Sequence, residues 1–125
     1  MSNNERAEEF VQDGKTFLFM DFSNIDSNEE FKKISSGFEK LITQYPADSL
    51  YTITNLDKVK YDSESIKMTR NFIKITDKYV KYAAIINIDG AKKFILNKMF
   101  SIKGRKKIIF TFSKEKAVNL LLDKE

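Results

Sequence analysis

The side chains best equipped for chemistry gather in one stretch, Tyr51 to Ile66, which reads YTITNLDKVKYDSESI. It concentrates Asn55, Asp57, Asp62, Ser63, Glu64 and Ser65. Asp57 and Asp62 are both carboxylates, but their spacing within a loop imposes no acid–base geometry on them. Ser63 supplies a hydroxyl without a visible activating base, because the chain has no His. That absence also removes the commonest metal ligand. Cys is absent too, which excludes disulfides and thiolate chemistry. There is no glycine-rich phosphate loop and no metal-ligand spacing. These residues therefore point away from an enzyme and imply no cofactor and no metal. A hydroxyl among carboxylates at a helix start also has a structural use, capping the helix. Asn24 and the pair Asp89-Gly90 are further polar points, each following an apolar run.

The elements that must position these groups follow from hydrophobic period and turn chemistry. Residues 1–7 read as a flexible tail, and Glu8 to Val11 as a short strand. Asp13-Gly14 is a tight-turn signal, since Gly accepts positive φ and Asp tolerates it. Thr16 to Phe22, TFLFMDF, is nearly continuous in apolar residues, as a strand covered on both faces should be. Ser27 and Glu30 have capping-box spacing. The helix they open carries Phe31, Ile34, Phe38, Leu41, Ile42 and Tyr45 in steps of three and four. Pro46 is expected to end it.

A second buried strand, Ser49 to Thr54, leads into the focal loop. Asp62 or Ser63 caps the next helix, whose apolar set is Ile66, Met68, Phe72, Ile73, Ile75, Tyr79 and Val80, with Thr69 and Thr76 between them. That helix is expected to break near Asp77 to Lys81. Tyr82 to Ile88 is a third buried strand. At its end Gly90 permits a sharp turn, and Asp89 caps a short helix running to Phe100. Ile108 to Phe112 is the fourth buried strand. Ser113 caps a last helix with Ala117, Val118, Leu120, Leu121 and Leu122. The expected fold is one α/β domain over residues 8–125, with a mixed, mostly parallel sheet of four to five strands and about four helices. The early hairpin adds an antiparallel edge. Loops at the carboxyl ends of such strands are where ligands and partners meet the fold.

At 125 residues the chain fits one domain, and 42% hydrophobic residues with eleven Phe support a folded core. No apolar run approaches the roughly 20 residues of a membrane span. The opening MSNNERAEEF lacks the apolar centre of a secretory signal, so a cytoplasmic location is expected. Charge is uneven: residues 1–62 carry seven basic and twelve acidic side chains, residues 63–125 fifteen and six. Such asymmetry either faces an anionic surface or simply solvates lysine-rich helices. High Lys, Ile and Asn with little Pro and Gly fits an AT-rich genome, bacterial or archaeal.

The element order and the focal loop resemble the STAS domain of bacterial anti-sigma-factor antagonists, and within it the SpoIIAA-like branch. The residues that carry the resemblance run in order. Phe22-Ser23-Asn24-Ile25-Asp26 and Glu29-Glu30-Phe31 look like the family's first strand end, turn and helix start. Asn55-Leu56-Asp57-Lys58-Val59-Lys60-Tyr61 resembles its D-L-S-x-V-x-F segment, and Asp62-Ser63 its Asp and phosphorylatable Ser. Asp89-Gly90 and Lys93-Phe94 to Met99-Phe100 look like its later G-D…W…L-F segment. The chain departs from that pattern in carrying Asn55 for Asp, Glu64 for a second hydroxyl residue and Ser65 for Gly. The resemblance implies a non-catalytic regulatory module, with an anti-sigma or kinase-like protein as partner and Ser63 as phosphorylation site. The binding surface would comprise Asn24, Asn55, Asp57, Asp62, Ser63, Asp89 and Gly90.

The related SEC14-like type implies an alternative, a small-ligand or lipid-binding carrier. An apolar cleft between the Phe94–Phe100 helix and the sheet would take the ligand, with Lys92, Lys93 and Lys103 meeting an anionic head group. The basic run Lys103-Gly104-Arg105-Lys106-Lys107 raises nucleic acid as a third partner class. No aromatic platform interleaves with it, so no specific nucleic-acid binding is expected. Monomer and homodimer are both open.

Overall fold

The computed structural model describes residues 6–60, 62–90, 93–94 and 108–124. Its strands are β1 (Ala7–Gln12), β2 (Lys15–Asp21), β3 (Leu50–Asn55), β4 (Val80–Ile86) and β5 (Ile108–Thr111). The α-helices among the described residues are α1 (Asn28–Ile42), α2 (Ser63–Thr76) and α3 (Lys114–Leu122). The strands form one sheet in the order β1-β2-β3-β4-β5. β1 pairs antiparallel with β2, and every later pair is parallel. The mixed, mostly parallel α/β sheet read from the sequence is therefore present. Of the about four helices expected, three are described. The remaining one, read after Asp89, is represented only by Gly90, Lys93 and Phe94, and the rest of it lies outside the described residues.

Local chemistry explains the elements. Asp13 and Gly14 both have positive φ, 52° and 78°, as a two-residue hairpin turn with right-handed strand twist requires. β1 begins at Ala7. Arg6 reaches across to donate to the carbonyls of Asp21 and Ser23, so the last two residues of the expected tail belong to the fold. Ser27 caps α1 by accepting from the Glu30 amide, while the Glu30 carboxylate lies 3.7 Å from Arg6. α1 stops at Ile42, four residues short of Pro46. The Thr43 hydroxyl bonds back to the Glu39 carbonyl, and Gln44 and Tyr45 close tight turns onto Leu41 and Ile42. The chain thus leaves the helix before proline forces it out.

The sheet has two dissimilar faces. α1 and α2 lie on one, as right-handed crossovers between consecutive parallel strands dictate. Leu18, Met20, Leu50 and Ile85 meet Phe31, Phe38, Ile42 and Ile73 there. Phe22 centres an aromatic group, with ring centroids 5.0 to 5.9 Å from Phe31, Phe38 and Phe72. On the other face α3 sets Ala117, Val118 and Leu121 against Phe17, Tyr51, Ile53, Ala84 and Ile86. Burying a leucine-sized side chain contributes about 1.5–3 kcal/mol, so these two layers dominate stability.

α2 sets Ile73 in the core with Ile66, Met68 and Phe72 packed against it, as its pattern expects, and departs from the pattern in two ways. Ser65, Thr69, Ile73 and Thr76 form its buried line, and Ile75 is exposed. Thr69 and Thr76 donate to the carbonyls four residues earlier, at 2.8 and 2.9 Å. A hydroxyl satisfied in this way can be buried without an orphan donor. α2 ends at Thr76, a 3₁₀ turn covers Asp77–Tyr79, and β4 starts at Val80, two residues before the expected Tyr82.

Candidate functional site at the carboxyl edge of the sheet

The loops after β2 and β3 repeat one design. Asp21 and Asn55 stand at equivalent last positions of paired strands. The Asp21 Oδ1 accepts from the Ser23 amide at 2.9 Å, and the Asn55 Oδ1 from the Asp57 amide at 3.1 Å. These are two Asx turns, each bonded two residues on. Asn24 and Lys58 then take positive φ, 60° and 58°. Ile25 and Val59 follow as buried anchors, 2% and 1% exposed. The segments DFSNI and NLDKV carry this repeat in the sequence. Backbone bonds lace the loops together: the Asn24 amide donates to Asp57, and the Lys60 amide to Ile25.

A side-chain relay crosses the strand ends. Asn55 donates to Asp21 at 3.3 Å and accepts from Asn87 at 3.1 Å. Asn87 also has positive φ, 60°, so it makes the turn after β4 that the sequence pattern assigned to Gly90. Gly90 is not left-handed, and a Cβ built there meets nothing within 4 Å. The Lys93 amide donates to the Asp89 carbonyl at 2.9 Å, which places Asp89 at the start of a helical turn.

The start of α2 settles which residue caps. Asp62 is the N-cap, and its carboxylate accepts from the Ser65 amide at 2.9 Å. Ser65 Oγ in turn accepts from the Asp62 amide at 2.9 Å, which completes a capping box. Asn28, at the first turn of α1, donates to the same carboxylate at 3.4 Å and ties the two helix starts together. The Ser65 amide bond, helped by Asn28, the Ser65 hydroxyl and nearby Lys60, holds the Asp62 carboxyl below its ordinary range. Ser63, the other capping candidate, is the first helical residue and is exposed.

The structure thus brings Asn24, Asn55 and Asp57 into one laced unit, with Asp62 and Ser63 on the adjoining helix start. Asp57 and Asp89 share a cleft of about 280 Å³ with Asn87, Lys93, Phe110 and Phe112. Asp62 and Ser63 do not line that cleft. Arg6, Asp21, Asn28 and Asn87 were missed as contributors, and Ser65, named within the focal stretch, was not given its part in the cap. The repeated Asx–apolar–polar–polar–aliphatic pattern was the signal for Asp21. Asn28 and Asn87 have no comparable local signature.

The carrier expectation fares differently in its parts. Residues 95–100, Lys92 and Lys103 lie outside the described residues, as does the basic run 103–107. Lys93 sits 5.2 Å above the Phe110 ring. The apolar cavity between the sheet and α1 and α2 measures about 60 Å³, far below the roughly 300–1,000 Å³ of small-molecule sites. No group of three metal-binding side chains occurs among the described residues. No helix among them is long and apolar enough to cross a membrane.

A solved structure gives this architecture a family likeness. An anti-sigma-factor antagonist (STAS) domain protein from Planctomyces limnophilus matches with a TM-score of 0.57, over 92% of this chain and 97% of that one. The fold is STAS-like. Sequence identity across the match is 13%, so the likeness is one of fold. No family model matches the chain, and no curated protein sequence does. In STAS-like terms the focal loop is the segment between β3 and α2, and Ser63 opens α2.

Proposed function

We propose that this chain is a non-catalytic regulatory module, acting in the cytoplasm, that binds a partner protein through the carboxyl edge of its sheet and is switched by phosphorylation of Ser63. The observation that carries the reading is the division of labour at the start of α2. Asp62 and Ser65 satisfy the helix end between them, and Ser63 stands exposed beside them with no part in the cap. A hydroxyl at this position is available to a kinase. Phosphate on it would meet the positive end of the α2 dipole. Asp62 and Glu64 flank it, so the phosphate would add charge to a loop that is already acidic.

The likeness in fold to an anti-sigma-factor antagonist supports a kinase-like or anti-sigma-like partner. Asn24, Asn55, Asp57, Ser63 and Asp89 are the residues such a partner would meet. The test joins two measurements on natively expressed protein: phosphopeptide mapping, and affinity capture with wild-type and Ser63→Ala bait. Phosphate on Ser63, together with a partner whose recovery changes in the variant, is the expected result. A protein free of phosphate under every growth condition, with no partner recovered, refutes the reading. A co-purified small molecule seen by native mass spectrometry would favour the carrier instead.

A further inference from the structure

We propose that β1 pairs antiparallel with β1 of a second copy of this chain, across a twofold axis that sets Phe10 opposite the partner's Phe10, so that the two sheets join into one.

β1 is an end strand of the sheet, and its hydrogen-bonding sense is fixed at both ends. The Arg6 carbonyl accepts from the Asp21 amide at 2.8 Å. The two-residue turn at Asp13-Gly14 closes on the pair Gln12–Lys15. Bonded and non-bonded residues alternate along an antiparallel pair. Arg6, Glu8, Phe10 and Gln12 therefore bond inward to β2, while Ala7, Glu9 and Val11 aim their amides and carbonyls outward. Among the described residues, no other strand pairs with these three.

The usual guards of an edge strand are proline, lysine, a bulge or free charge. β1 has neither proline nor lysine, and its register with β2 runs without a bulge from Ala7 to Gln12. Its two glutamates are engaged on opposite faces of the sheet: Glu8 pairs with Lys114, and Glu9 accepts from the Tyr45 hydroxyl. Val11 is left 67% exposed. There is also room for a neighbour. α3 packs mainly over β3, β4 and β5, and a groove of about 630 Å³ lies between it and β1, lined in part by Phe10, Gln12 and Val118.

The strand's own sequence selects both the occupant and the register. Only the outward positions can bond to one another across an axis. Centring it on Glu8 or Glu9 puts a glutamate directly opposite its own copy, which destabilises a sheet. Centring it on Ala7 or Val11 leaves a single bonded pair within β1. Centring it on Phe10 gives two bonded pairs, Glu9 with the partner's Val11 and Val11 with the partner's Glu9. Phe10 then meets the partner's Phe10 in a non-bonded pair, where side chains come closest, and aromatic pairs of this kind support strand pairing. Glu8 falls opposite the partner's Gln12, whose amide can donate to it. Such a contact is isologous, the same patch serving both copies. The axis stands perpendicular to the sheet, so both grooves open on one face with the Phe10 pair between them.

The test is sedimentation velocity on the full chain from about 10 μM to about 1 mM, the range suited to so small an interface. The mass is expected to rise toward that of a dimer, and a constant monomer mass overturns the proposal. Val11→Pro removes an outward amide and leaves the pairing of β1 with β2 intact, so it is expected to weaken association by about tenfold. Phe112→Ser removes an 84%-exposed aromatic beyond the last strand and is expected to stay within about twofold of wild type. Association lost in Phe112→Ser and kept in Val11→Pro overturns the edge assignment. Circular dichroism confirms that each variant is folded. The register is read by cross-linking, since the chain has no Cys of its own. Glu9→Cys mixed with Val11→Cys places the two Cα atoms about 5.5 Å apart, within disulfide range. Two copies of Glu9→Cys stand about 8 Å apart in this register, too far to bridge. The mixture is therefore expected to cross-link under mild oxidation. Faster cross-linking of Glu9→Cys with itself overturns the Phe10-centred pairing.

Discussion

Ser63 and Ser65 stand two residues apart and should respond oppositely to the same substitution. Ser65 is 1% exposed. Its Oγ accepts from the Asp62 amide at 2.9 Å and faces the carbonyls of Lys60 and Asp62 at 3.2 and 3.1 Å, to one of which its single proton goes. Ser65→Ala leaves the part-buried Asp62 amide without its partner and empties one half of the capping box. An orphaned buried donor costs about 1–3 kcal/mol, and the better helix propensity of Ala returns a few tenths. The expected net loss is about 2 kcal/mol. For a domain of this size that lowers the melting temperature by roughly 6–10 °C. Ser63→Ala removes an exposed hydroxyl outside the cap and adds helix propensity, so its expected effect lies between zero and about 0.5 kcal/mol of stabilisation. Urea unfolding followed by circular dichroism measures both, and the m-value should not change. If S63A loses as much as S65A, Ser63 is a capping residue and the argument for its availability fails. An intact S65A would show that the capping box contributes nothing.

Three further outcomes follow from the same geometry. Asn55→Asp places a carboxylate where an amide now donates to Asp21 at 3.3 Å. It should cost about 2 kcal/mol at neutral pH, with the deficit shrinking on acidification; a variant as stable as wild type at pH 7 would contradict the relay. Thr52 is 3% exposed and lines the apolar cavity under α2 with no side-chain hydrogen bond among the described residues. Thr52→Val should therefore stabilise by about 1 kcal/mol in thermal melts, and a clear loss would mean that the hydroxyl has a bound partner. Asp62 has its pKa lowered from 3.8 by the Ser65 amide. A lowered carboxylate contributes above its unfolded pKa and stops contributing as pH falls through its folded one. The deficit of Asp62→Ala should hold from neutral pH down to about pH 4 and close below that, and a deficit independent of pH would remove the electrostatic part of the cap.

Much of the fold was legible because its signals are local. The Asp13-Gly14 turn, the Ser27 cap and the Phe31–Phe38–Ile42 stripe each depend on residues within one turn or one strand. The α2 face was read less well. Apolar count favoured Ile75 and passed over Thr69 and Thr76, although a threonine that bonds its own helix carbonyl can be buried. That Asn55, Asp57, Asp62 and Ser63 share one loop and helix start was legible; the bonds that hold them there were not. Asp21, Asn28 and Asn87 come from different strands and loops, and their bonds to Asn55 and Asp62 exist only once the sheet has set the register. The turn after β4 shows the same limit: glycine chemistry pointed to Gly90, whereas the left-handed residue is Asn87.

The departures from the family pattern acquire a physical meaning at the start of α2. Where the pattern carries glycine, this chain carries Ser65, and the side chain that glycine would lack closes the capping box. A helix start held by two reciprocal side-chain bonds is less free to move than one opened by glycine. A second constraint comes from Lys58, a non-glycine residue held at positive φ. It is kept there because Val59 must reach the core and the Asn24 amide must reach Asp57. Both features fix the β3–α2 loop before any partner arrives. A preorganised loop loses little conformational freedom on docking, so binding energy is not spent on ordering it. Any switching must then come from a change in charge on the fixed surface. In the proposed reading, Ser63, exposed at the start of α2, supplies that change.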